Sequence, residues 1–75
     1  MDYYKVFYTD RPLPGGAEPD FTFVMPLNFA TREEALKEAF KRIFGGAIVW
    51  KIEGPEGFRL GRAEIERQYA IFKAS

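Results

Sequence analysis

The sequence predicts a small α+β domain with the element order β-β-α-β-β-α and one antiparallel sheet of three to four strands. Three observations lead to this prediction: strand-like alternation in short segments, two stretches with helical spacing, and glycine- and proline-rich turns between them. We expect the first helix to pack across one face of the sheet. A chain of 75 residues is about the size at which one core suffices, so residues 1–75 are predicted to form a single domain.

The first two strands are expected at residues 3–9 and 20–25, where aromatic and β-branched residues are frequent. Alternation groups the side chains into Tyr4, Val6 and Tyr8 in the first strand and Phe21, Phe23 and Met25 in the second. Residues 11–19, RPLPGGAEP, are predicted to form the connecting loop, because proline and paired glycine interrupt regular structure. Which face of these strands points inward is left open.

A helix starting after Thr31 is the most strongly specified element of the chain. Thr31 and Glu34 form a capping-box pattern. Apolar residues recur at the spacing of one helical face, namely Ala35, Leu36, Ala39, Phe40, Ile43 and Phe44. Glu38 and Arg42 stand four residues apart, with the acid first, which favours an ion pair. The pair Gly45-Gly46 is expected to end the helix with a left-handed residue.

The second half of the chain predicts a hairpin and a second helix. Residues 47–53 read as a strand with Ile48, Trp50 and Ile52 on one face. Residues 54–57, GPEG, are predicted to turn into a short returning strand, with a left-handed glycine at the fourth position. Residues 62–73 carry Ile65, Tyr69 and Phe72 at helical spacing. This helix is expected either beside the first one or on another subunit.

Two segments carry a family resemblance: FATREEA at residues 29–35 and GAIVWKIEGPEG at residues 46–57. Together they resemble small bacterial α+β domains of unknown function, which share a strand pair, a T-x-x-E-A helix and a strand ending in a glycine-bounded turn. The resemblance implies a compact domain, often found as a dimer, with no assigned activity. It transfers no functional residue.

The composition argues against catalysis. The sequence has no histidine and no cysteine, so the usual neutral-pH base, the thiolate nucleophile and the commonest metal ligands are missing. The carboxylates Glu33, Glu34, Glu64 and Glu66 read as solvated helix surface. We therefore predict a protein that is not an enzyme and binds neither cofactor nor metal.

The charges and hydropathy favour a cytoplasmic location. No run approaches the roughly 20 apolar residues of a membrane span, and the opening MDYYK lacks the features of a signal peptide. Eleven basic residues balance eleven acidic ones, whereas nucleic-acid-binding domains usually have a basic excess.

Aromatic residues, 17% of the chain, are the only feature that suggests a working surface. We predict a candidate interaction surface at Tyr3, Phe7, Phe23, Trp50, Tyr69 and Phe72, and a non-catalytic protein–protein interaction module that forms a homodimer or contacts another protein. One alternative is a nucleic-acid-binding module that stacks bases on these aromatics, because Lys5 and Lys51 lie among them. Another is a ligand pocket between the terminal helix and the sheet.

Overall fold

The computed structural model describes residues 3–11 and 13–75, apart from the side chain of Phe23. Within these residues the predicted order β-β-α-β-β-α is confirmed. The elements are β1 (Tyr4–Thr9), β2 (Leu27–Phe29), α1 (Arg32–Phe44), β3 (Ile48–Glu53), β4 (Arg59–Gly61) and α2 (Arg62–Ala74). Short 3₁₀ turns occupy Pro14–Gly16, Phe21–Phe23 and Pro55–Gly57.

In the described part of the chain, the strands form one antiparallel sheet in the order β2-β1-β3-β4. Both helices lie on the same face of this sheet. Ile65 of α2 belongs to the same buried cluster as Ala35 and Ala39 of α1 and Val6 and Ile52 of the central strands. Of the two placements left open for the second helix, the structure therefore has the one beside the first.

The ends of α1 follow the sequence prediction. The backbone N–H of Glu34 donates to the hydroxyl of Thr31 at 3.2 Å, and that hydroxyl donates to the Glu34 carboxylate. At the other end, the N–H groups of Gly46 and Ala47 donate back to the carbonyls of Ile43 and Arg42. Gly46 has a φ of 95°, which a residue with a side chain rarely adopts. The helix is thus fixed locally at both ends.

The second strand was predicted at the wrong residues. Residues 20–25 contain a 3₁₀ turn at Phe21–Phe23, and the strand lies at Leu27–Phe29. The carboxylate of Asp20 accepts a hydrogen bond from the N–H of Thr22 at 3.0 Å, which favours a turn over an extended chain. Pro26 therefore lies before the strand. Phe21 and Met25 are not strand residues and do not belong to the core between the sheet and the helices.

The predicted face of β3 was also wrong, because a β-bulge interrupts its alternation. Phe7 pairs with Lys51 and the next residue, Tyr8, pairs with Val49, so Trp50 is the extra residue of β3. A bulge of this kind places two consecutive side chains on the same side of the sheet. Val49 and Ile52 consequently face the helices, with Tyr4, Val6 and Tyr8, while Trp50 lies on the opposite face.

The β3–β4 connection contains two residues in the left-handed conformation and a glycine that packs closely against Tyr4. Gly57 has a φ of 77°, as predicted for the fourth turn position, and Glu56 also adopts a left-handed φ of 59°. Gly54 lies against Tyr4, and a Cβ atom there would come within 2.5 Å of the ring. The glycine thus lets the hairpin contact β1 through an aromatic side chain.

Candidate interaction surface

The six residues of the predicted interaction surface do not form one patch. Phe7 and Trp50 are 8% and 5% exposed, on the sheet face away from the helices. Tyr3, at the start of the chain, is 37% exposed. Tyr69 is half-buried and Phe72 is 59% exposed, and both lie on α2. The side chain of Phe23 lies outside the described part of the structure.

On the sheet face opposite the helices, the aromatic rings are covered by residues of the same chain. Phe21, from the connection between β1 and β2, packs against Phe7 with ring centroids 5.8 Å apart. The Lys51 ammonium lies 4.8 Å from the Phe7 centroid and 4.3 Å from the Phe21 centroid. These distances are within the range of a cation–π interaction. The Phe7 ring is thus covered on this face by the Phe21 ring and the Lys51 ammonium of the same chain.

Trp50 also makes its contacts within the same chain. Its indole N–H donates to the hydroxyl of Thr9 at 3.0 Å, and the guanidinium of Arg62 lies 5.1 Å from its ring. A base can stack only on a ring whose face is open. In this conformation the sheet face offers no such ring at Phe7 or Trp50.

The helical layer, in contrast, exposes large apolar side chains. Phe40 of α1 contacts Tyr69 and Phe72 of α2, with ring centroids 5.6 and 5.0 Å apart. Nevertheless Phe72 remains 59% exposed, and its neighbour Ile71 60%. Phe44, four residues after Phe40 on α1, is 80% exposed. Three of the five large hydrophobic side chains that stay exposed in the described residues are therefore on the helices.

An open groove follows this side of α1 and has a volume of about 620 Å³. Its lining consists of Glu33, Leu36, Lys37, Phe40, Lys41 and Phe72. The three charged residues stand on successive turns of α1, so their aliphatic stems can cover apolar surface while their ends stay in water. We call these six residues the helical groove. A second depression shares Glu33 and Leu36 with it and continues toward Phe58 and Gln68.

The origin of the helical groove lies in the two apolar stripes of α1. Ala35 and Ala39 are fully buried against the sheet, whereas Leu36 and Phe40, one position further on, are only half-buried. One position turns a side chain by about 100° around a helix, so the second stripe points to the side of the sheet. The apolar residues of α1 were predicted to form one helical face, so the two stripes were not distinguished. The four-residue spacing of Leu36, Phe40 and Phe44 is the signal that could have separated them.

The acidic residues of the helices interact with groups of their own helix. Glu33 lies 3.7 Å from Arg32, and Glu66 lies 2.9 Å from Arg62. Hydrogen bonds from Arg67 and Gln68 lower the pKa of Glu64, and the same carboxylate raises the pKa of Arg67. These are pairs on a solvated surface. In the part of the chain that the structure describes, no group of three or more acidic residues is arranged to hold a metal ion.

Comparison with known proteins gives no relative from which a role could be taken: no family model matches the chain, and neither a curated protein nor a solved structure matches it. The resemblance of residues 29–57 to small bacterial domains therefore stays a prediction. None of the helices in the described ranges is both long enough and apolar enough to cross a bilayer.

Proposed function

We propose that this protein is a non-catalytic interaction module of the cytoplasm that self-associates through the helical groove. The observation that carries the proposal is the exposure of Phe72, which lines an apolar groove, and of Phe44, four residues after the groove residue Phe40 on α1. Large apolar side chains exposed together mark surfaces that another molecule covers. An exposed aromatic that fits a pocket on the partner is also the commonest source of affinity in protein–protein contacts.

The form of the helical groove favours a protein over a small ligand. Small-molecule sites combine an apolar enclosure with a few convergent polar groups that fix the orientation of the ligand. Here the charged groups belong to three long side chains on one helix, and the groove is partly open to solvent. Such a surface is suited to receiving apolar side chains from a second helix.

Base stacking, the alternative function, has less support. It requires exposed rings on the sheet, and Phe7 and Trp50 are buried beneath internal contacts. The equal numbers of acidic and basic residues also provide no excess of positive charge for phosphate.

Sedimentation velocity between micromolar and several hundred micromolar protein tests the proposal. We expect the wild-type protein to pass from monomer to dimer, and the variants Phe44→Ser and Phe72→Ser to shift this transition to at least tenfold higher concentration. A loss of about 1.4 kcal/mol of binding free energy corresponds to that factor. Met25→Ser is the matched control, because Met25 is 86% exposed but lies in the segment before β2 and not on a helix. A wild-type protein that stays monomeric throughout would refute self-association.

A further inference from the structure

The charges along the helical groove have an order that specifies how a second copy would bind. Glu33, Lys37 and Lys41 stand at intervals of four residues on α1, and all three line the groove. The acid is near the start of the helix and the two bases follow it. With a rise of about 1.5 Å per residue, Glu33 and Lys41 are separated by roughly 12 Å along the helix axis, with Lys37 midway.

We propose that a second copy binds with its α1 antiparallel to the first, around a two-fold axis beside Lys37; this inference rests on the proposed self-association. A two-fold rotation about that point brings Glu33 of each copy opposite Lys41 of the other. The interface then contains two equivalent acid–base pairs, as a symmetric dimer requires. The two Lys37 side chains meet at the axis, where their aliphatic stems can pack while the ammonium groups turn apart into water. A parallel arrangement in register would place Glu33 against Glu33 and Lys41 against Lys41.

Two further features agree with the antiparallel arrangement. The dipoles of antiparallel helices oppose each other, so the positive end of each α1 meets the negative end of the other. The apolar residues Leu36 and Phe40 lie on either side of Lys37, so they fall in the middle of the contact beside the lysine stems, with the acid–base pairs at its two ends. An apolar centre with a polar rim is the usual organisation of a protein–protein interface.

A dimer through this face needs more surface than the helical groove alone supplies. The chain has an accessible surface of 5364 Å², and a specific interface needs at least about 500 Å² from each partner. That is roughly a tenth of the surface. The 13-residue α1 is about 20 Å long, so the proposed contact extends along the whole of α1 and includes the exposed end of α2.

Charge reversal tests the pairing of Glu33 with Lys41. We expect Glu33→Lys and Lys41→Glu each to weaken dimerisation by roughly tenfold, since each places like charges opposite one another at two points. The double variant should recover most of the loss, because it restores both pairs with their signs exchanged. Both side chains are exposed in the monomer, so the fold tolerates the changes.

The double variant also separates this contact from an effect on the helix itself. Each single reversal places a charge unfavourably at an end of α1, so the stability of the monomer falls further in the double variant. Dimer affinity is expected to recover while the melting temperature of the monomer drops. Failure of the affinity to recover, in a protein that still dimerises, would overturn the antiparallel arrangement and leave the proposed self-association standing.

Cross-linking locates the two-fold axis independently. The natural sequence has no cysteine, so Lys37→Cys carries a single thiol that should face its own copy and be joined by a short bismaleimide. Lys5→Cys, on the opposite sheet face, is the control and should give no cross-linked dimer at the same concentration. Equal cross-linking of both variants, or none at Lys37→Cys in a dimeric protein, would refute the proposed axis. A protein that never dimerises would refute both this inference and the proposed function.

Discussion

The two faces of the sheet are covered by different kinds of side chain. Toward the helices, Val6, Val49 and Ile52 are fully buried against the alanines of α1 and Ile65 of α2. Away from the helices, Phe7 and Trp50 are buried by one ring from a connecting segment and by the cations Lys51 and Arg62. The first face is an aliphatic core, and the second is a thin aromatic layer held by polar and cationic contacts.

This difference changes how the high proportion of aromatic residues in the sequence is interpreted. Four of the six predicted interaction residues, Tyr3, Phe7, Phe23 and Trp50, lie in segments that were predicted as strands. On the sheet, however, Phe7 and Trp50 take part in covering the second face, where no helix is available. Apart from Tyr3 and Met25, the large apolar side chains that stay exposed in the described residues are on the helices, which cover the centre of the first face and leave their own outer side open. Aromatic abundance alone therefore did not identify the exposed region.

Truncating the aliphatic core should have the largest effect on stability. Ile52→Ala removes a fully buried side chain and is expected to lower the free energy of unfolding by about 2–5 kcal/mol, through lost burial and a residual cavity. In a chain of this size, that is enough to leave much of the protein unfolded. Ile71→Ala, at a position 60% exposed, is the matched control and should change it by less than about 0.5 kcal/mol. Urea denaturation followed by circular dichroism measures both; similar losses would contradict the assignment of the core.

A smaller loss of stability is expected at Gly54, where the β3–β4 hairpin packs against Tyr4 on the helix-facing side of the sheet. Gly54→Ala brings a Cβ within 2.5 Å of the Tyr4 ring, so that ring must shift, which disturbs its edge-on contact with Phe58. We expect a loss of about 1–3 kcal/mol, as is usual for overpacking. Gly61→Ala is the control, since a Cβ there meets no atom within 4 Å. Thermal denaturation should give a lower melting temperature for Gly54→Ala alone; equal shifts in the two variants would show that the contact with Tyr4 is unimportant.

Truncating a side chain on the aromatic face should lower the stability least, but it should change the tryptophan fluorescence clearly. Phe21→Ala removes the half-buried ring beside Phe7, with an expected loss of about 1–2 kcal/mol from burial. The covering of this face then loosens, and the fluorescence of Trp50, the only tryptophan, should shift to longer wavelength. Met25→Ala, at an exposed position of the same segment, should leave the emission unchanged. An unchanged emission in Phe21→Ala would mean that Phe21 does not help to keep Trp50 buried.

The elements that the sequence predicted correctly are those with local determinants. The limits of α1 depend on Thr31, Glu34 and the glycine pair, all of which act within one turn of the helix. The segment at residues 20–25 failed because alternation is also compatible with a turn, and the Asp20 side chain stabilises that turn. Its alternative, Leu27–Phe29, is only three residues long, which is too short for a pattern to be recognised.

The bulge and the helical groove could not be predicted because each depends on pairing between distant parts of the chain. The extra residue in β3 is defined by its register against β1, and the sequence of one strand does not contain that register. Likewise, whether Leu36 and Phe40 face the sheet or its side depends on where α2 packs. Of the three large apolar side chains exposed on the helices, the predicted surface included Phe72 but not Phe44 or Ile71.

The order of the strands has a consequence for how copies of this protein can meet. In the described sheet, β2 and β4 are the outer strands, and each has only three residues. An outer strand this short presents few free backbone groups to which another chain could add by hydrogen bonding. Growth of the sheet into fibrils is thereby disfavoured, although the aromatic content would otherwise promote it. Concentrated solutions are accordingly expected to remain free of thioflavin-binding fibrils.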